Sequence, residues 1–465
     1  MTLGAIGLSL RSNFVATKQT DWGVLLDVSG PGARHEQLVR ALRTAIRNGV
    51  VPPDAALPPS RKLAEDLGCS RWVVTQAYAQ LVAEGYLVGR SGSATRVRWA
   101  GTSGNVRPPS PAPPTPKYDL APGLPDLRAF PRQRWADMLR HVLTTAPHTD
   151  FGLPPPGGHP RLRAVLAEYL RRVRGAVTED VAICTSVTDG VHRIARTLKA
   201  KGVTTIAVEE PGWTRVWRAA ESAGLRVVTV PVDDDGLRVD LIPVGAKAVV
   251  VTPAHQFPSG VVLTPGRRAE LLTWARKTGG LILEDDYDAE FRYDRRPVGT
   301  VQGMDPKRVV LLGSVSKTLS PAVGVGWCVV PPQWTHKVLA ANPTAPAPPV
   351  LDQLALAEFI ERGGYDRHLR AARLRYRARR DRLLAALGDA KVSGAAAGLH
   401  LVLHVDQDAA ALVRRAAANG LKVGNLDDYR AGVGEPALVL GYGNLADNAV
   451  ADAVRALRAA GYRSS

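Results

Sequence analysis

The chain has 465 residues, too many for one ordinary core, and its 45% hydrophobic and 22% charged content is that of a folded globular protein. No run of about 18 uncharged apolar residues occurs, so no membrane-spanning helix is expected, and the opening MTLGAIGLSLRSNF reads poorly as a secretory signal. Lys and Arg number 60 against 43 Asp and Glu, a net charge of +17, which favours a polyanionic partner without establishing one. Cys69, Cys184 and Cys328 are far apart and lack metal-ligand spacing; they read as incidental thiols of a reducing cytoplasm, and no metal site is expected.

Residues 36–47 carry Leu38, Leu42, Ala45 and Ile46 at helical spacing. The Pro-rich turn VVPPDAALPPS follows and ends on Ser60, an expected N-cap for a second helix over 61–67. Ser70 is the expected cap of a third helix over 71–84, with Val74, Ala77, Tyr78 and Leu81 inward. Gly85 ends it, and YLVGRSGSATRVRW gives two short β runs around a Gly/Ser turn. Three helices and a hairpin make a winged helix-turn-helix domain over residues 20–100. Ser70, Arg71, Trp72, Thr75 and Gln76 fall on the outward side of the third helix, where a recognition helix meets base edges. Ser60, Arg61 and Lys62 open the second helix, where amides and cations suit a phosphate. Arg90, Arg96 and Arg98 belong to the wing. The stretch LPPSRKLAEDLGCSRWVVTQAYAQLVAEGYLVGRSGSATRV resembles the GntR family of bacterial winged-helix regulators, which implies DNA reading by the start of the third helix and backbone contacts by the wing. Trp72 departs from the smaller residue usual there; it either alters base preference or packs against the wing.

Residues 101–118 are rich in Pro, Gly and Ser and form a linker. From 119 to 465, strand and helix patterns alternate, the mark of an α/β domain with a mainly parallel sheet. The apolar runs VAIC (181–184), TIAV (205–208), AVVV (248–251), LIL (281–283) and VVLL (309–312) each end in polar or Gly/Pro-rich sequence, where open α/β sheets bind ligands. Asp285 and Tyr287 follow LIL, His255 follows AVVV, and Lys317 follows VVLL. A carboxylate, a phenol and a lysine in that order suit pyridoxal phosphate chemistry: the carboxylate keeps the ring nitrogen protonated, the phenol tunes the ring oxygen and the lysine binds the aldehyde.

The blocks VVVTPAHQFPSGVVLTPGRRAELLTWA, LILEDDYDAEFRYDRRP and LLGSVSKTL, with LAPGLPDLRAFPRQRW and GLHLVL, are similar to those of the MocR regulators, which fuse a GntR-type domain to a fold-type-I aminotransferase-like domain. The resemblance covers nearly the whole chain. It implies that Lys317 is the Schiff-base lysine, Asp285 the ring-nitrogen partner, Tyr287 the partner of the ring oxygen and Trp213 the stacking residue. Ser314 and Ser316 would lie on the phosphate side, and His255 and Thr188 complete the expected cofactor-binding set. Two departures fall at the phosphate. Gly324 stands where the family has an arginine seven residues after the lysine, and in TSVTDG (185–190) Val187 replaces the usual glycine while Asp189 stands among the expected donors. In PALVLGYGNL (436–445) no arginine is available for a substrate carboxylate, and Arg430 is a poorly positioned alternative. The basic stretch DRHLRAARLRYRARRDRLL (366–384) reads as a solvated or dimer-facing helix in preference to a DNA contact. The expected protein is a cytoplasmic, dimeric, DNA-binding regulator whose large domain senses pyridoxal phosphate or a small amine or amino acid. The alternatives are a working aminotransferase and a regulator of this type that has lost the cofactor.

Overall fold

The computed structural model describes residues 26, 28, 30–89, 94–98, 115–293, 298–340, 347–394 and 396–463. The chain divides into two compact units, Met1–Pro113 and Pro114–Ser465.

In the first unit, helices α1 (Arg34–Arg47), α2 (Ser60–Asp66) and α3 (Arg71–Ala83) pack on one core with the two-stranded wing β1 (Leu87–Val88) and β2 (Arg96–Val97). Leu42, Leu63, Val74, Ala77 and Leu81 have no exposed surface. Each large aliphatic side chain so buried contributes about 1.5–3 kcal/mol, which is what holds helices this short in place. Ser70 caps α3, its hydroxyl accepting from the Val73 amide at 3.4 Å. Ser60 does not cap α2. Pro59 occupies that position in an extended conformation, and Ser60 is the first helical residue. The fixed φ of proline sets the entry to the helix, and the Ser60 hydroxyl accepts instead from Arg71 Nε at 3.3 Å. Arg90 lies outside the described residues.

The second unit contains the strands β3 (Tyr118–Leu120), β4 (Ala182–Cys184), β5 (Thr205–Glu210), β6 (Arg226–Asp233), β7 (Gly236–Leu237), β8 (Ala248–Val251), β9 (Leu281–Asp285), β10 (Val309–Ser314), β11 (Gly326–Val329), β12 (Val392–Ser393), β13 (His400–His404), β14 (Leu421–Asn425) and β15 (Ala437–Gly441). One sheet has the order β4-β11-β10-β9-β8-β5-β6-β7 and the other β12-β13-β15-β14-β3. The central strands β10, β9, β8, β5 and β6 are mutually parallel. Four of these are the apolar runs of the sequence; buried on both faces, they have no polar side to alternate with. Their carboxyl ends therefore deliver Glu210, Asp285 and Ser314 to the same edge of the sheet. The helices needed below are α4 (Pro160–Arg174), α5 (Val187–Ala200), α6 (Thr214–Ser222) and α7 (Gly364–Leu387).

The basic helix α7 is not simply a solvated face. Arg379 has no exposed surface; its guanidinium donates to Asp126 Oδ2 at 2.8 Å, Asp447 Oδ1 at 3.0 Å and the Tyr442 carbonyl at 3.1 Å. A buried cation is tolerated because each donor has a partner, and the result fastens three distant chain segments together. Among the described residues, no helix is long and apolar enough to cross a membrane.

Candidate functional site

The loop after β10 is pinned by Val315, whose amide donates to the Val325 carbonyl at 3.0 Å, and by the buried Leu319. Between them Lys317 is held inward, its Nζ donating to the Gly123 carbonyl at 2.6 Å and lying 5.5 Å from the centre of the Trp213 ring. Gly123 is at φ +81°, which favours glycine, and a Cβ there would come within 2.8 Å of Nζ and displace the amine. Burial pushes the Lys317 amine below its ordinary value; Asp285 and Asp288 oppose that, and Arg215 adds to it. A lysine whose proton is loosened in this way is poised to act as a nucleophile.

The end of β9 sorts its acids by the alternation of a strand. Glu284 accepts from the Val301 and Gln302 amides at 3.0 and 2.8 Å, and Asp286 makes a two-pronged ion pair with Arg174 at 2.7 and 2.9 Å. Asp285, between them, lines a cleft with Trp213, Glu209 and Thr252. Its Oδ1 is buried and has no hydrogen-bond partner, and burial, with repulsion from Asp286, pushes its carboxyl up to about 8. An acid left unpartnered there is an open acceptor for a cationic N–H.

The Tyr287 hydroxyl lies 3.0 Å from His255 Nδ1, which is itself 3.0 Å from Asp288 Oδ2. His255, Asp288 and His400 gather so that their potential ligand atoms lie within 4.8 Å of one another. His255 Nδ1 already serves Asp288 and Tyr287, and His400 Nε2 lies 3.0 Å from the Pro258 carbonyl. Burial and the neighbouring His255 hold the His400 ring well below its usual pKa, hence neutral. The His255 and Asp288 contacts give Tyr287 a hydrogen-bonded support, while His255 Nε2 and Asp288 Oδ1 are buried without a hydrogen-bond partner.

Helix α5 follows β4. The Ser186 hydroxyl accepts from the Asp189 amide at 3.2 Å, which leaves the Val187 and Thr188 amides at the open end of the helix. Asp189, which the sequence set against an anionic ligand, is neutralised: Arg193 donates to it at 2.9 and 3.2 Å, and the Thr185 amide at 3.0 Å. Val187 is buried and packs with Cys184, Leu312 and Cys328 in the core, which accounts for a branched side chain where the family has glycine. Thr188 lines a cleft together with Ser186, Arg215 and Arg218. Ser314 is buried, its hydroxyl 3.4 Å from the Ser316 amide. Gly324 closes a short turn at φ +62° with open space where a Cβ would stand, so this loop offers no cation. Arg430 is engaged elsewhere, 3.5 Å from Asp427 Oδ1 and donating to the Glu435 carbonyl at 3.2 Å.

Sequence reasoning missed Gly123, Arg215, Glu209 and Asp288. Arg215 had a signal, standing in the first turn after Trp213; Gly123 had none, because it meets Lys317 across 194 residues.

In the reading unit Arg71, Trp72, Thr75 and Gln76 are exposed. Trp72 is 62% exposed, with its ring edge-on to His35 at 6.0 Å, so it leans on α1. Arg61 and Lys62 pair along α2 with Glu65 and Asp66 at 3.5 and 2.9 Å, and the Thr75 hydroxyl donates to the Arg71 carbonyl at 2.9 Å. Arg96 donates to the Asp54 carbonyl at 2.7 Å and braces the wing on the Pro-rich turn.

Residues 34–97 match the family model described as bacterial regulatory proteins, gntR family, and residues 116–423 match aminotransferase class I and II. The chain is 32% identical to the HTH-type pyridoxine biosynthesis transcriptional regulator PdxR of Corynebacterium glutamicum, over 91% of this chain and 95% of that one. It is 35% identical to the probable rhizopine catabolism regulatory protein MocR of Rhizobium meliloti, over 78% and 79%. Its fold matches a solved kynurenine aminotransferase of Pyrococcus horikoshii with a TM-score of 0.67 at 22% identity, covering 74% of this chain and 90% of that one. A winged helix-turn-helix reader joined to a fold-type-I aminotransferase domain defines a class of DNA-binding transcriptional regulators. The chain belongs to the MocR-type family of that class.

Proposed function

We propose that this regulator takes up pyridoxal 5'-phosphate at Lys317 and uses the surrounding cleft to sense a small amine or amino acid, without turning it over. The observation that carries the reading is Asp285: a buried carboxyl group with an unpartnered oxygen, in a cleft shared with Trp213 and beside an amine-bearing lysine. When bound, the cofactor supplies an electrophilic aldehyde for amines. Asp285 would hold its ring nitrogen, Tyr287 braced by His255 its ring oxygen, and Trp213 its ring face. Thr188, Ser314, Ser316 and the first amides of α5 would hold the phosphate, with Arg215 as the nearby cation. Sensing is favoured over turnover because Arg430, the one carboxylate-binding candidate of the sequence, is committed to Asp427 and Glu435.

On the DNA side, Ser70, Arg71, Trp72, Thr75 and Gln76 read bases, while Ser60, Arg61, Lys62 and the wing with Arg90 hold the backbone. A homodimer would bring two such readers to a repeated operator. The linker over 101–118 would join residues 20–100 to a sensing domain over 119–465.

Borohydride reduction of the full chain with pyridoxal phosphate, followed by peptide mass spectrometry, tests the cofactor reading. A reduced adduct on Lys317 supports it. No adduct on Lys317 leaves the second reading, favoured by Gly324, in which the fold is kept and the cofactor lost. Gel shifts with the protein's own upstream DNA test the reader.

A further inference from the structure

A second cleft opens on the far side of the Asp285–Asp286 strand end, between α4, the segment at Ala289–Glu290 and the start of α7. It encloses about 170 Å³. Two of its lining residues, Tyr169 and Glu290, are 1% and 8% exposed, and the Tyr169 hydroxyl and Glu290 Oε2 have no hydrogen-bond partner. One buried orphan of this kind costs about 1–3 kcal/mol, so two in one cleft are an unsatisfied donor and acceptor held ready. The rim is cationic. Arg370 is exposed, and Arg373 donates through Nε to the Glu290 carbonyl at 2.9 Å; neither has a carboxylate partner among the described residues. Arg172, by contrast, is occupied by Asp366 at 3.0 Å and lies over the Tyr169 ring.

We propose that this cleft binds a short zwitterionic amino-carboxylic acid, its ammonium on Glu290 and its carboxylate on Arg370 and Arg373. The chemistry follows from the arrangement: an acid at the floor and guanidiniums at the rim match opposite charges a few atoms apart. A simple anion would leave Glu290 unpartnered, and a simple amine would leave the rim unused. The site is separate from the Lys317 cleft and does not depend on the cofactor reading, yet it is connected to it. Tyr169 packs on Tyr365, whose hydroxyl lies 2.7 Å from that of Thr318, the residue after Lys317. Arg174, also in the cleft wall, holds Asp286 beside Asp285. Occupancy of one site therefore has a packed route to the other.

The test is calorimetric titration of the full chain with the ω-amino acids from glycine to 6-aminohexanoate, and with acetate and methylammonium as the separated charges. At least one amino acid should bind more tightly than either half. Binding should weaken about tenfold or more in Arg370→Ala and in Glu290→Gln, and should persist in Lys317→Ala. Arg370 is on the surface and Gln is isosteric with Glu, so both variants are expected to fold, which their melting temperatures check. The proposal is overturned if no amino acid binds, if acetate binds as tightly, if both rim and floor variants bind normally, or if Lys317→Ala abolishes binding.

Discussion

The reading surface and the Lys317 cleft are built on opposite plans. The base-reading and phosphate-holding residues proposed for the helices come from one short stretch, 60–76, and most of them stand in solvent, where charges are screened and each contact would be worth little until DNA arrives. The cleft draws its residues from positions between 123 and 317 and buries them, so each group changes its neighbours' protonation. A surface that waits for its partner tolerates piecemeal change; a buried set does not. The predictions below test that contrast.

The largest effect is expected at Lys317. Lys317→Ala should abolish the borohydride-trapped adduct while leaving specific gel shifts of cofactor-free protein intact. Retained trapping elsewhere in the chain would show that the cleft is not the cofactor site. Next comes Arg71→Ala, expected to weaken operator binding about tenfold to hundredfold while cofactor trapping is unchanged. Arg61→Ala and Lys62→Ala should instead weaken binding to all sequences alike and flatten its salt dependence.

Asp285→Asn gives a smaller, pH-dependent effect. In cofactor-free protein the Asp285 carboxyl is pushed up to about 8, against about 4 for an ordinary aspartate. The folded chain thus keeps a proton that the unfolded chain releases, and this group's contribution to stability falls as pH rises from about 4 to about 8. The variant should gain on the wild type in melting temperature across that window. Superimposable pH profiles would refute the burial argument. Smallest is Gly324→Arg, which places a cation in the turn after Lys317, where a Cβ would meet open space. The positive φ costs about 1 kcal/mol of stability whether or not ligand is bound, whereas the added charge, screened by solvent, acts on affinity alone at about 1 kcal/mol. A gain of severalfold in cofactor affinity is expected, read by equilibrium titration.

Much of this was legible in the sequence because the relevant signals were local. The ends of LIL and VVLL announced Asp285, Tyr287 and Lys317, and Ser70 announced the third helix. The cap expected at Ser60 lies one residue earlier, at Pro59, because a proline can set a helix entry as well as a capping hydroxyl can, and PPS offers both. Asp189 has Arg193 four residues on, on the same helical face, so i,i+4 pairing already offers it a partner in the sequence. The meeting of His255, Asp288 and His400, and the burial of Arg379 against Asp126 and Asp447, carried no signal of either kind. These are decided by how two sheets and a long helix close on one another, and no window of sequence contains that.

The hydrogen bond from Lys317 to Gly123 has one more consequence. Gly123 comes a few residues after the Pro-rich segment, just past β3, which is stitched parallel to β14 from Leu421 to Val423. The amine that would be consumed by an aldehyde is thus the same amine that now latches the entry of the chain into the large unit. Loading the lysine would give up that hydrogen bond, so an occupied and an empty cleft would hold the first turn of the large unit differently.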